Sequence, residues 1–477
     1  MSDRGSAQLL ELSAGDAVAH MSRGEISVER YASALLARCE ALRELNAFIT
    51  LEPARVLEAA RACDQHRKSG GKLGPLFGLP IPVKDSVNTA EYPTTAGTPA
   101  LRHFRPAADA PIVQSLRAGG AIVLGKTNLH ELSYGWTNNN LAFGAVRNPY
   151  DPTRIPGGSS GGTAVAIAAR MAPLGVAEDT EGSIRVPAAM CGISGFRPST
   201  GRYSTEGCVP ISPLFDQVGP HARTVADLAL FDSVAANDWQ PLQPKPLQGL
   251  RFGVVRDYWF AGLDEQVEHL ADLALQRLRY AGAEIVATEL PGLQQLIKQT
   301  TELIQNHDVR IALARYLEDY GTRLTFDQVV QQASPDIQAI FRDYVLPGGK
   351  KFVSEKTYTD ARDVHLPTLR RLYQDYFSRT GVAAMVFPTT MAPAPLIGQD
   401  DTVDIRGREV PFVVAVSRNI SPGSTAGLPG LVLPAGMTTT GLPVALEFDG
   451  PTGSDRGLLA IGLSLERALG AIPAPRI

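Results

Sequence analysis

Four glycines enclose two serines in IPGGSSGGTAVAIAAR, residues 155 to 170, and no other stretch restricts the fold so strongly. Gly157, Gly158, Gly161 and Gly162 permit a backbone path closed to residues with a Cβ, while the Thr-Ala-Val-Ala-Ile-Ala-Ala run that follows has a helical pattern. The segment is a tight loop that feeds a helix N-terminus and presents Ser159 and Ser160. A phosphate-binding loop would need a lysine after the last glycine, but Gly162 is followed directly by Thr163. A G-x-S-x-G nucleophile elbow fits residues 158 to 162 by letter, yet it needs a strand just before it. Pro149, Pro152 and Pro156 argue against one. A plain structural turn stays open.

A second cluster, AEDTEGSIRVP at 177 to 187, crowds Glu178, Asp179 and Glu181 within five residues of Ser183. A hard-metal site would need oxygen ligands spaced to wrap an ion, and this spacing does not match one. A third feature is Lys84 in PVKDS, which ends an apolar run and is therefore buried or half-buried. Burial disfavours the charged form of a lone lysine, so such a residue either has a special partner or snorkels to the surface.

At 477 residues the chain exceeds the usual single-core size, which by length alone favours two or three domains. No repeat, low-complexity tract or flexible linker divides it, so we read one domain over 1 to 477. Hydrophobic residues at 44% and charged residues at 20% supply a sizeable core, and a net charge of −4 with interspersed signs gives no footprint for nucleic acid or a membrane surface. A small-molecule substrate is the expectation, with no metal and no cofactor, in a monomer or homodimer. Cys39, Cys63, Cys191 and Cys208 are scattered without metal spacing, and the longest apolar stretch is broken by Arg170. Cytoplasmic placement follows as an expectation.

Helices are expected first, with Ser27 capping a face of Val28, Tyr31, Leu35 and Leu42. LPIPV at 79 to 83 and AIVLG at 121 to 125 read as strands, and the latter follows a helical segment ending at Gly119 and Gly120, the rhythm of an α/β fold. Asp264 caps a further helix bearing Val267, Leu270, Ala274, Leu278 and Ala281, which Gly282 stops before the strand AEIVAT. Residues from about 290 to 380 read as a mostly helical insertion with loops at Pro335 and at 347 to 349. Strand signals resume at 385 to 395 and 427 to 436.

Taken together, GGSSGG, DTEGSIRVPAAMCGISGFRPSTGR, LPIPVKD, GKTNLHELSYG and AGLPGLVLPAG followed by GLPVALEF resemble the amidase signature enzymes over nearly the whole chain. The resemblance implies a single α/β/α sandwich around a twisted mixed sheet with a helical cap. It also implies a Ser-cisSer-Lys triad: Ser183 as nucleophile, Ser159 as bridging serine after a cis peptide at Gly158, and Lys84 as terminal base. Neutral Lys84 would draw a proton through Ser159 while Ser183 attacks the carbonyl, the reversed relay would protonate the leaving amine, and water would cleave the acyl-enzyme. No histidine is required, and His130 reads as structural. The same mapping places the oxyanion donors on the backbone of Thr180, Glu181, Gly182 and Ser183, a substrate-binding carbonyl at Ser133, and supporting contacts at Ser160, Asp179 and Arg185, the last two as a charge-assisted pair.

The chain departs from the family pattern at Glu178, where a hydroxyl residue is usual and for which the sequence offers no physical account, and at Glu181, where a small residue is usual. We expect Glu181 to point away from the carbonyl pocket. Tyr134, Trp136, Leu141, Phe143, Leu214 and Phe215 are the candidate pocket residues, of which Tyr134, Trp136, Phe143 and Leu214 are favoured. They indicate an apolar or aryl amide, as in the indoleacetamide and mandelamide hydrolase branch, with a carbamate, urethane or anilide as the alternative. Two other classes stay open: a tRNA-dependent amidotransferase subunit, which usually has Arg-Gln-Pro where this chain has Arg185-Val186-Pro187, and a non-catalytic binding protein.

Overall fold

The computed structural model describes residues 5–477. Fifteen strands are present among them: β1 (Phe48–Thr50), β2 (Pro80–Lys84), β3 (Ile122–Thr127), β4 (Asn139–Asn140), β5 (Gly144–Ala145), β6 (Leu174–Asp179), β7 (Ser194–Arg197), β8 (Gln217–Ala222), β9 (Arg251–Val254), β10 (Glu284–Ala287), β11 (Ala384–Pro388), β12 (Thr402–Ile405), β13 (Arg408–Pro411), β14 (Gly430–Met437) and β15 (Pro443–Asp449). Eleven form one mixed sheet in the order β1-β3-β2-β6-β8-β7-β14-β15-β11-β9-β10, and β4–β5 and β12–β13 are separate two-stranded ribbons. Every residue of β2, β3, β6 and β8 is buried, as expected of strands covered by helices on both faces. The architecture is an α/β/α sandwich.

Parallel neighbours need a crossover, and the chain supplies helices for it: Pro111–Ala118 between β2 and β3, and Glu265–Tyr280 between β9 and β10. In the second helix, the Asp264 carboxylate accepts from the N–H groups of Gln266 and Val267. Val267, Ala271, Ala274, Leu275 and Leu278 are its buried face. Leu270 is only half-buried and Ala281 is exposed beyond the last turn, so the face is centred about one residue from the sequence assignment.

Helices fill most of 293 to 380, including Thr301–Asp319 and Leu366–Thr380. Pro335 does not break them; it is the first residue of the helix Pro335–Ile340, where its missing N–H is harmless. This helical segment makes its own apolar cluster. Leu313, Phe326, Val329, Ile337 and Phe341 pack with Leu101, Leu132 and Ile211 from loops of the sheet side. The contact clamps the helices over the carboxyl ends of β2 and β6. None of the helices among the described residues is long and apolar enough to cross a membrane.

Candidate active site

Strands β2 and β6 lie side by side and parallel, with Val83 opposite Val176, so their carboxyl ends deliver Lys84 and the pair Glu178–Asp179 to one place. Lys84 is fully buried, and its Nζ donates to Ser159 Oγ at 2.7 Å and to Glu178 Oε1 at 3.0 Å. The Gly158–Ser159 peptide is cis. Immediately after Ser160 the helix Gly161–Ala168 begins, and a Cβ on Gly162 would sit 2.3 Å from the Asn128 carbonyl, which explains why this loop carries glycine where it meets its neighbours.

Between β6 and the helix Arg185–Met190 runs the turn that carries Ser183. Gly182 has φ +100°, and a Cβ there would collide with Ile420, so only glycine fits. Asp179 closes the turn: it accepts from Gly182 N at 2.7 Å, from Ile184 N at 3.0 Å, and from the Arg185 and Arg197 guanidinium groups at 3.0 and 3.1 Å. Burial opposes ionisation of Asp179, but the two guanidinium groups outweigh it and hold the carboxyl well below its ordinary range. Arg185 also donates to Glu447 at 2.5 Å and to Ser424, and Arg197 to the Phe215 carbonyl at 2.9 Å.

Because Gly182 N–H is taken by Asp179, it is not a free oxyanion donor, contrary to the sequence expectation. The N–H groups of Thr180, Glu181 and Ser183 make no hydrogen bond among the described residues. Ser183 Oγ is likewise without a hydrogen bond among the described residues and faces a cavity of about 380 Å³. Ser160 does not bond to the other two serines through its hydroxyl. Its Oγ donates to the Glu178 carbonyl at 3.0 Å, and only its N–H reaches the Ser183 carbonyl, at 3.3 Å.

The three acidic residues have three separate sets of partners. Glu178 is bonded by Lys84 and by Ser133 Oγ at 2.5 Å, which supplies the account the sequence lacked. Glu181 is not turned away from the cavity but lines it, because Ser421 Oγ and Gln305 Nε2, the latter at 2.9 Å, hold its carboxyl. Burial pushes that carboxyl up to about 7 against the opposing pull of these two donors. Its backbone carbonyl accepts from Trp136 Nε1 at 2.8 Å. Thr180 Oγ1 donates at 2.6 Å to Asp216, which burial likewise pushes up to about 7. His130 is pushed down to about 4 by burial and is neutral in this region.

Ser133, Tyr134 and Trp136 line one side of the cavity, and Ile211, Ile340 and Tyr344 line another. Val413 and Val414 stand at its exposed rim. Four of the six candidate pocket residues do not take part. Phe143 lies outside, under the Arg102 guanidinium at 4.4 Å, because the β4–β5 ribbon turns it away. Leu214 packs with Leu303 and the small cluster around Phe215 and Ile304. Leu141 is 57% exposed and Phe215 fully buried. The sequence reading missed Ile340, Tyr344, Glu302 and Gln305, which come from the helical segment more than 110 residues downstream of Ser183. It also missed Arg197 and Glu447, although both lie in segments that carry the family resemblance. Lys126 lies next to last in β3, beside β2, but it is engaged by Asp85 at 3.0 Å, the Val87 carbonyl and Thr94, leaving no serine partner among the described residues.

The family model described as Amidase matches residues 30–459. Indoleacetamide hydrolase of Agrobacterium vitis is 39% identical over 450 residues, covering 94% of this chain and 95% of that protein. Mandelamide hydrolase of Pseudomonas putida is 36% identical over 482 residues, covering 98% and 93%. A solved structure described as the crystal structure of an amidase superposes with a TM-score of 0.86 at 32% identity, over 96% of this chain and all of that one.

Proposed function

Starting from a chain that belongs to the amidase family, we propose that Ser183, Ser159 and Lys84 form its nucleophilic relay and that its substrate is a primary amide of an arylalkyl acid. The protein is a hydrolase of amide carbon–nitrogen bonds. Neutral Lys84 accepts the Ser159 proton, Ser159 accepts that of Ser183, and Ser183 Oγ bonds to the carbonyl carbon. The developing oxyanion meets the N–H groups of Thr180, Glu181 and Ser183. The relay then returns its proton to the departing amine, and water repeats the sequence on the acyl-enzyme.

The observation that carries this reading is the 2.7 Å contact between a fully buried lysine and Ser159, beside a serine that opens on an apolar cavity. Burial pushes the Lys84 ammonium below its ordinary value despite the opposing charge of Glu178, which favours the free amine a base must be. An aryl ring is supported by the aromatic and aliphatic walls and by the indoleacetamide and mandelamide relatives. A screen of primary amides, anilides, esters and carbamates tests the choice: arylacetamides should give the highest kcat/KM. A carbamate turned over faster would transfer the assignment to urethane cleavage.

Our reading also makes residues 1 to 477 one domain with the helical segment as an insertion, and the protein a cytoplasmic monomer or homodimer without nucleic-acid or membrane partners. Size-exclusion with light scattering checks the oligomeric state.

Glu181 gives a further expectation. A carboxyl raised from an ordinary 4.5 to about 7 binds its proton more tightly in the folded state. Its contribution to stability is therefore full below 4.5 and is lost as pH rises toward about 7. Glu181→Gln should flatten the fall in Tm between pH 5 and 7 relative to wild type, measured by thermal melts. Glu181→Gly should change the ratio of kcat/KM between small and bulky amides by about tenfold; unchanged ratios across the screen would remove it from substrate selection.

A further inference from the structure

The Glu178 carboxyl is buried and does not line the substrate cavity. Its Oε1 is 3.0 Å from Lys84 Nζ and 2.5 Å from Ser133 Oγ, on the strand adjacent to Lys84. A carboxylate at that distance stabilises the ammonium over the free amine, whereas the relay needs the free amine. The two demands oppose each other in this chain.

We propose that Glu178 is a positioning residue that sets the pH at which Lys84 becomes a base, delaying the onset of amide hydrolysis to higher pH than Lys84 would show alone. This rests on the Ser183–Ser159–Lys84 assignment. At low pH Lys84 is the ammonium and has no lone pair for the Ser159 proton. As pH rises one proton leaves Lys84 for solvent, the nitrogen gains its lone pair, and the Ser159 hydroxyl can donate to it. No other atom changes bonding.

The other charged and titratable neighbours leave Glu178 as the group with this role. Asp179 is committed to Arg185 and Arg197. His130 and His221 are both pushed to about 4 by burial and are neutral above that pH. The Cys208 thiol is driven well above its ordinary value by burial, so it is neutral too. Asp216 and Glu181 are the two further groups that titrate within range, and neither contacts Lys84: Asp216 is bonded by Thr180, and Glu181 by Ser421 and Gln305. Ser133 keeps the Glu178 carboxylate aimed at Nζ.

The test is the pH profile of kcat/KM on an arylacetamide for wild type, Glu178→Gln, Glu178→Ser and Asp216→Asn, together with the pH dependence of Ser183 phosphonylation by a fluorophosphonate. Removing the charge should move the acidic limb to lower pH by about one unit or more in both Glu178 variants, a gain of about tenfold relative to the plateau at a pH on the limb. The labelling rate should show the same shift, and Glu178→Asp should restore the wild-type position. The second substitution and the labelling readout cover a variant that folds poorly. A limb that stays in place in both variants overturns the proposal. So does a limb that moves only in Asp216→Asn. A fall in plateau kcat of more than about a hundredfold with no shift overturns it as well, because Glu178 would then be an obligatory proton acceptor. If the wild-type adduct is not on Ser183, the relay assignment itself fails; if it is on Ser183 and the limb does not move, only the role of Glu178 does.

Discussion

Ser183→Ala should lower kcat by about five to six orders of magnitude while leaving the thermal midpoint within a few degrees of wild type. The asymmetry follows from the position of the side chain. Ser183 Oγ faces the cavity and carries no hydrogen bond among the described residues, so its loss opens no buried network. The covalent route, however, has no substitute nucleophile, since the Ser160 hydroxyl is turned to the Glu178 carbonyl. Lys84→Ala should cost less in rate, about two to four orders of magnitude, and more in stability, because Glu178 is left buried without its hydrogen-bonding partner. Residues that act as one relay do not add, so the double variant should be no slower than Ser183→Ala alone. Steady-state kinetics on an arylacetamide with parallel melts decides the matter. Turnover by Ser183→Ala within a hundredfold of wild type would place the nucleophile elsewhere.

Asp179→Ala should destabilise the fold by about 3–5 kcal/mol, the largest effect expected of any single side chain here. Two buried guanidinium groups lose their shared anion, and the N–H groups of Gly182 and Ile184 lose their acceptor. Activity falls as well, because the turn that presents the oxyanion donors is closed by this carboxylate. Denaturant unfolding measures the first effect. The pH dependence gives an independent check. Asp179 is held below its ordinary 3.8, so its contribution to stability is present above that value and is lost as pH falls through the lower folded value. Asp179→Asn removes that acid-side loss while keeping the shape. If Asp179→Asn unfolds on acidification with the same pH dependence as wild type, the carboxylate is not the ion that Arg185 and Arg197 require.

The parts of the site that were legible in the sequence are those whose chemistry is local. A lysine at the end of an apolar run, serines between glycines, and a serine after Asp-Thr-Glu-Gly each announce an unusual backbone or an unusual burial within a few residues. The role of Glu178 was hidden because its partner, Lys84, is 94 positions away and becomes adjacent only when β2 and β6 pair. The assignment of Phe143 and Leu214 to the pocket failed for a similar reason. Both stand in short loops, where no repeat fixes the direction of a side chain, and each found a neighbour outside the cavity. The helical character of 290 to 380 was readable, but not that Ile340 and Tyr344 line the cavity with Ser183, since that depends on the clamp between this segment and the loops bearing Leu132 and Ile211.

That clamp separates two kinds of heritable change. Lys84 at the end of β2 and Ser159 in the glycine loop are 2.7 Å apart, so a shift of an ångström would break their contact, whereas much of the far wall of the cavity is furnished by one contiguous stretch of chain. Substrate range can thus drift, or be engineered, by exchanging that stretch as a cassette. The docking seam of Leu313, Phe326, Val329, Ile337 and Phe341 is what a transplant must conserve, and the catalytic floor need never be edited.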